Sequence, residues 1–193
     1  MRRFIFVKFT PPAAAILAAS TAPALAHSGH GIALTWGLAH PFSGLDHMLA
    51  MVAVGLWASQ LGRTAFWILP AVFPAVMAGG ALMGASAMAL PFVETGIVVS
   101  IVVLGAAVAF GVNVPLAASA SLVGLFALFH GHAHGTELPA TGSGVLYGLG
   151  FVLATIALHG IGLGIGVLAR RGAVMRTAGG AIAVAGLFLL VAP

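Results

Sequence analysis

Residues 143–168 read SGVLYGLGFVLATIALHGIGLGIGVL, an apolar run without a single charged side chain. An α-helix needs about 20 such residues to cross the hydrocarbon core of a bilayer, and the run lacks the alternation of a membrane β-strand. This stretch therefore predicts a transmembrane helix. Comparable apolar stretches, separated by short loops rich in Gly, Pro, Asn and Thr, lie at 34–59, 65–89, 94–111, 114–134 and 174–192.

The composition excludes a water-soluble domain. Of the 193 residues, 61% are hydrophobic and 5% are charged, whereas a soluble domain carries roughly a quarter charged residues. In a bilayer, only helices and closed barrels satisfy their own backbone groups. We therefore predict an all-α integral membrane protein, a bundle of about six transmembrane helices that forms a single domain over residues 27–193.

Charge distribution and cysteine usage exclude further classes. The sequence pI is about 11.3, but three of the seven bases lie in the first eight residues and the others are scattered. No basic face with interleaved aromatic residues exists, so nucleic acid is not an expected partner. Cysteine is absent, which excludes disulfides, thiolate nucleophiles and cysteine-ligated metal sites.

Residues 1–26 have the pattern of a cleaved secretory signal peptide. The basic n-region contains Arg2, Arg3 and Lys8. The apolar stretch that follows ends at Ala24-Leu25-Ala26, an A-x-A cleavage site. Cleavage would make His27 the new N-terminus on the far side of the membrane, and an uncleaved anchor is the alternative.

The distribution of arginines predicts the orientation of the spans. With the N-terminus outside, the inner loops lie near 60–64, 111–114 and 169–176, and all basic residues beyond the signal fall there: Arg63, Arg170, Arg171 and Arg176. This is the positive-inside pattern. It predicts a protein of the bacterial inner membrane with both termini on the extracytoplasmic side.

On this topology, the titratable side chains collect at the outer ends of the spans. All three acids and seven of the eight histidines fall in the outer half, whereas His159 lies well along the fifth span. A carboxylate inside a span costs about 2.5–3.5 kcal/mol on insertion scales, and such residues usually mark ion routes. Asp46 has no base nearby, because Arg63 lies at the opposite end of its span. We expect a histidine or a bound cation to be its partner.

The first span contains HPFSGLDH, beginning at His40. Pro41 disfavours a helical conformation at His40, so the first helix is expected to break near His40-Pro41, and Ser43 is positioned to cap the helix that restarts. Broken spans are tolerated where they line a protein cavity and often mark transporter sites. Asp46 and His47 point about 100° apart on a helix. They would flank one cavity, or His47 would support a neighbouring helix.

The fourth span ends in FHGHAHGTE, beginning at Phe129. On a continuing helix His130, His134 and Glu137 form one stripe at i, i+4 and i+7, and His132 faces elsewhere. The two glycines of the motif favour close approach of another backbone or an unwound end. Two imidazoles and a carboxylate suit nickel, cobalt, zinc or copper. The alternative is a histidine-rich interfacial loop that binds metal only incidentally.

Four further residues are weaker candidates. His27 and His30 would add imidazoles and a terminal amine at the outer surface, or belong to a flexible tail. Glu94 is either a functional carboxylate or an interfacial charge. His159 is either a hydrogen-bonded packing residue or an inner station for a metal ion. Glycines of the fifth span form small-residue faces that fit packing within the bundle or between chains of an oligomer.

The motif H-P-x-S-G-x-D-H in the first span, followed by F-H-G-x-A-H-G-x-E in the fourth, resembles the HupE/UreJ family. The resemblance covers essentially the whole chain after the signal. It implies a small secondary nickel or cobalt permease, associated with hydrogenase or urease accessory functions and with metallochaperones of nickel-enzyme maturation. The key positions of the family would fall on His40, Asp46, His47, His130, His134 and Glu137. Phe73 and Glu94 would be further family positions, and His132 occupies a variable one.

The resulting functional hypothesis is a carrier rather than an enzyme. A divalent nickel or cobalt ion would be the transported substrate, with no tightly bound cofactor, and would pass from the extracytoplasmic side into the cytoplasm through a histidine and carboxylate site. The sequence contains no G-x-x-x-x-G-K-[ST] motif for nucleotide binding. Two alternatives remain open at this point: an intramembrane zinc-dependent hydrolase using the same histidines and aspartate, and a metal-sensing or metal-storing membrane protein.

Overall fold

A computed structural model describes residues 30–138, 143–169 and 172–191, and within these ranges the chain forms seven helices and no strand. The helices are α1 His30–Ser43, α2 Leu45–Gln60, α3 Arg63–Ala85, α4 Val93–Phe110, α5 Leu116–Thr136, α6 Gly144–Leu168 and α7 Gly172–Val191. Helices α3 to α7 are each long and apolar enough to cross a membrane, and α1 with α2 adds a sixth span if the bent pair counts as one. The prediction of an all-α membrane bundle is confirmed.

The helix bounds lie within a few residues of the apolar stretches from which they were predicted. The expected signal peptide at 1–26, together with His27, lies outside the described residues. The same holds for the loop at 139–142 and for the Arg170-Arg171 pair. Of the arginines predicted to lie in inner loops, Arg63 begins α3 and Arg176 lies in the first turns of α7.

The first span is broken, with an angle of 83° between α1 and α2. The break falls at Gly44, slightly after the expected position, because α1 accommodates Pro41 and continues to Ser43. The expectation that Ser43 caps α2 is wrong. Its hydroxyl donates to the His40 carbonyl at 2.6 Å. Gly44 is the N-cap of α2 and provides no side-chain hydrogen bond. A Cβ at Gly44 would lie 2.6 Å from the Asp46 carboxylate. A side chain at this position would therefore displace the Asp46 carboxylate from its place beside the bend.

Glycines bring α3 and α5 into backbone contact. A Cβ at Gly131 or Gly135 of α5 would overlap the carbonyls of Met77 or Ala81 on α3, and Gly80 of α3 is equally close to α5. Small residues permit this approach in membranes, where close packing holds helices together. Because these glycines face α3, His130 and His134 of α5 lie on a neighbouring stripe that faces the bundle interior.

Helix α6 crosses both arms of the broken span. Gly150 of α6 packs against the backbone of α1, and Gly162 packs against the backbone of α2. By contrast, Gly144, Gly148 and Gly160 have no heavy atom within 4 Å of an added Cβ. Only part of the glycine pattern in this span therefore serves packing within the chain. This packing places the α1–α2 bend beside the C-terminal half of α5 and the N-terminal half of α6.

Candidate metal site

His130 and His134 project from the same face of α5 into the bundle, and both are buried. The His130 Nδ1–H donates to the Phe126 carbonyl, 2.9 Å away. With its proton held at Nδ1, a neutral imidazole keeps a lone pair at Nε2, and the His130 Nε2 is buried without a hydrogen-bond partner. A backbone carbonyl that fixes the tautomer in this way is the usual support of a metal-binding histidine.

His47 lies in the first turn of α2 and is oriented by Asp46. The Asp46 Oδ1 accepts hydrogen bonds from the His47 Nδ1 at 2.7 Å and from the His47 backbone N–H at 2.8 Å. The His47 Nε2 is buried and has no partner. This is a carboxylate–histidine pair, in which the carboxylate sets the ring orientation and raises the basicity of the free nitrogen. The contact places Asp46 behind His47, so a histidine, one of the two partners expected for this carboxylate, is found beside it.

Four imidazoles form one continuous group, named here the imidazole cluster: His40, His47, His130 and His134. The ring centroids of His47 lie 5.1 Å from those of His130 and 4.5 Å from those of His134, and the His40 and His134 centroids are 4.9 Å apart. The three helices α1, α2 and α5 contribute these rings. The structure thus brings the two sequence motifs together, across the break at Gly44.

Glu137 completes the outer end of the cluster. Its Oε2 lies 3.4 Å from the His40 Nε2 and 3.7 Å from the His134 Nδ1. One ligand atom from each of these three side chains lies within 4.8 Å of the other two. Metal–ligand bonds of about 2.0–2.2 Å to nitrogen and oxygen would place ligand atoms at most about 4.4 Å apart, so small side-chain rotations suffice to hold one ion.

Glu137 follows the last residue of α5 and is exposed. The neighbouring imidazoles of His134 and His40 hold the pKa of the Glu137 carboxyl well below its usual range, although partial burial acts in the opposite direction. The carboxylate is therefore charged at neutral pH. A negative charge at the exposed edge of the imidazole cluster attracts a cation to the open end of the site.

The other predicted ligands do not join this group. His132 donates from Nε2 to the Met88 carbonyl at 2.7 Å, which ties α5 to the loop before α4 and directs the ring away from the cluster. Glu94 is exposed in the first turn of α4 and makes no ion pair in the described part of the chain. His30 is the first residue of α1, but the structure does not describe its side chain, and His27 is likewise outside the described residues.

Aromatic rings form the walls of the site. Phe151 of α6 lies 4.2 Å from His134 and Tyr147 lies 5.8 Å from His40, measured between ring centroids. Sequence reasoning missed both, although Tyr147 is the single tyrosine of the chain and lies inside a span. Phe73 of α3 is fully buried and contacts His130 on the inner side of the cluster. These rings give the site apolar walls, and the charged Glu137 lies at its exposed end.

Comparison with known proteins relates the chain to one family. The family described as HupE / UreJ protein matches residues 14–189. Protein HupE of Rhizobium leguminosarum bv. viciae is 50% identical over 181 residues, which cover 91% of this chain and 95% of that relative. No solved structure matches the chain.

Proposed function

Because the chain belongs to the HupE/UreJ family, we propose that it is a secondary permease that moves divalent nickel or cobalt from the extracytoplasmic side into the cytoplasm. The observation that carries the proposal is the imidazole cluster. Buried ring nitrogens of His47, His130 and His134 have no hydrogen-bond partner within the described residues. Such groups are costly unless something satisfies them, and a transition-metal ion would satisfy several at once.

The donor set suits borderline divalent metals. Neutral imidazole nitrogens and a carboxylate bind nickel, cobalt, zinc and copper, whereas magnesium and calcium prefer oxygen ligands alone. The tautomers are held so that His47 and His130 each present Nε2 to the interior. The chain presents no thiolate, because it contains no cysteine. We therefore expect nickel and cobalt to compete for transport and magnesium to be ignored.

The gradient of exposure suggests the order in which the groups act. The exposed fraction of the side chain falls from 57% at Glu137 to 31% at His40 and 5% at His134, and His130 is fully buried. A hydrated ion would meet the charged carboxylate first and exchange water for imidazole nitrogen as it moves inward. The ion would then bind between His47 and His130, where Asp46 offsets part of its charge.

The orientation of the chain in the membrane is part of this proposal. Arg63 at the start of α3 and Arg176 near the start of α7 lie at the ends of their helices that would face the cytoplasm. The cluster then opens to the extracytoplasmic side of the bacterial inner membrane, with both termini on that side. Metallochaperones of nickel-enzyme maturation would receive the ion at the cytoplasmic face.

Transport is favoured over zinc-dependent hydrolysis. The hydroxyl of Ser43, which lies beside the first motif, donates to the His40 carbonyl and is engaged in the last turn of α1. Each carboxylate of the site already accepts from or pairs with an imidazole. A catalytic zinc site also needs a positioned general base for its water, and Asp46 and Glu137 are committed to their imidazoles.

Uptake of radioactive nickel into cells that produce the protein tests the proposal. We expect saturable uptake, inhibited by cobalt and unaffected by magnesium. His134→Leu should abolish it, because His134 joins Glu137 and His40 to His47. His132→Gln is the matched control: it lies on the same helix, and its amide can still donate to the Met88 carbonyl, so uptake should persist. A correctly inserted wild type that takes up neither nickel nor cobalt would contradict transport, and the cluster should then be assayed for zinc-dependent hydrolysis.

A further inference from the structure

A further imidazole lies deeper in the bundle, outside the imidazole cluster. His159 of α6 is 1% exposed, and neither of its ring nitrogens makes a hydrogen bond of regular geometry with the described residues. Buried polar groups without partners are rare in folded proteins because the lost hydration is not replaced. The position of this ring therefore calls for a function beyond packing.

The Pro70 carbonyl lies close to the His159 ring, but not in regular hydrogen-bond geometry. Helix α3 contains Pro70 and Pro74, which are four residues apart. Because proline has no N–H, Pro74 cannot donate the helical hydrogen bond that the Pro70 carbonyl would otherwise accept. The freed oxygen can hold a proton on the nearer ring nitrogen of His159. The other nitrogen then keeps its lone pair, as in histidines that bind metals.

Phe73 separates His159 from the imidazole cluster. Its buried ring stands edge-on to both imidazoles, with centroids 5.4 Å from His130 and 5.3 Å from His159. Phe73 lies three residues after Pro70 on α3, so the ring and the carbonyl lie within one turn of each other. The phenyl ring offers no lone pair to an ion. An ion that leaves His130 therefore meets an apolar partition before the next nitrogen.

We propose that His159, oriented by the Pro70 carbonyl, is an inner binding station for the same divalent ion, divided from the imidazole cluster by the Phe73 ring. This inference rests on the proposed transport function. One imidazole nitrogen and backbone oxygen are fewer and weaker ligands than the outer cluster supplies. A weaker inner station favours onward release, because conduction requires sites that an ion can leave.

The absence of cysteine from the chain provides a direct test. His159→Cys places a single thiol at the inner station. Ile182→Cys is the matched control, because this residue is buried on α7, which packs chiefly against α4. The full-length variants are purified and titrated with Co²⁺. We expect a thiolate-to-cobalt charge-transfer band for His159→Cys and none for Ile182→Cys, while both show the visible absorption of cobalt at the outer cluster.

Two transport variants complete the test. His159→Leu should lower nickel uptake at least tenfold and leave the visible cobalt absorption of the outer cluster unchanged. Pro74→Ala restores a backbone N–H that can donate to the Pro70 carbonyl and leaves the His159 side chain unchanged. It should lower nickel uptake at least threefold. This variant still tests the inner station if His159→Leu fails to insert into the membrane. The Ile182→Cys control should keep wild-type uptake.

The outcomes separate this inference from the function on which it rests. If the outer cluster binds cobalt but His159→Cys gives no thiolate band, or if His159→Leu transports nickel at the wild-type rate, the inner station is refuted and the transport function stands. If the wild type neither binds cobalt nor takes up nickel, the transport function itself is contradicted.

Discussion

Substitutions of Asp46 test whether its carboxylate binds the metal ion directly or orients the His47 ring. In Asp46→Ala the Nδ1 of His47 loses the oxygen that accepts its proton at 2.7 Å, so the ring can rotate or change tautomer. Loss of such an orienting partner typically costs ten- to a hundredfold in metal affinity. Asp46→Asn keeps an amide oxygen that can accept the same proton but removes the negative charge. The two substitutions therefore probe orientation and charge separately.

The expected magnitudes differ between the two variants. We expect Asp46→Asn to weaken nickel binding about tenfold and Asp46→Ala about a hundredfold, equivalent to about 1.4 and 2.7 kcal/mol of binding free energy. The Asp46 and His47 side chains are both largely shielded from solvent, with 24% and 14% of their surfaces exposed, so bulk water is a poor substitute for the lost acceptor.

Isothermal titration of the purified protein with nickel at pH 7.5 measures these affinities, and circular dichroism checks that each variant keeps its helices. A loss that is the same for Asn and Ala would refute the orienting role, since it would show that only the charge or a direct metal–oxygen bond matters. Wild-type affinity in Asp46→Ala would refute any role of this carboxylate in binding.

Three further predictions concern pH, packing and orientation. Glu137 should stay charged from pH 7.5 to 5.5 because its pKa is lowered, so protonation of this carboxylate should not reduce nickel uptake over this range. A loss of uptake within the range that disappears in Glu137→Gln would contradict the lowered pKa. Gly131→Ala should destabilise the protein by about 1–3 kcal/mol through overlap with the Met77 carbonyl. Gly160→Ala is the control, because an added Cβ at Gly160 meets open space. It should raise the melting temperature in the same detergent, since alanine favours the helix. Equal effects of Gly131→Ala and Gly160→Ala on the melting temperature would exclude the close contact between Gly131 and Met77. Alkaline phosphatase fused after residue 193 should be active in intact cells, and an inactive but stable fusion would contradict an extracytoplasmic C-terminus.

The helical architecture could be read from the sequence because it depends on properties that are local in the chain. Apolar stretches of bilayer length predicted where helices would form, and the i, i+4 spacing of His130 and His134 predicted their shared face. Both motifs were assigned to the same side of the membrane, so their convergence was expected. The structure brings His40 and His47 against these histidines in the expected manner.

Other features of the site could not be predicted from the sequence, because they depend on contacts between helices and on competition among local hydrogen bonds. Ser43 was expected to cap α2, but its hydroxyl reaches a carbonyl of α1, so the break falls at Gly44. The bend of 83° between α1 and α2 is likewise not specified by residue types alone. The placement of Phe73 between His130 and His159 requires the crossing of three helices, which no spacing along one chain segment encodes.

Reconstitution offers the most direct test of the transport claim. Purified protein in liposomes that contain a nickel-sensitive dye would report ion movement without other cellular components. We predict saturable nickel influx for the wild type and for His132→Gln, and none above empty liposomes for His134→Leu. Influx through His134→Leu at the wild-type rate, or no influx through correctly inserted wild-type protein, would contradict a route through the imidazole cluster.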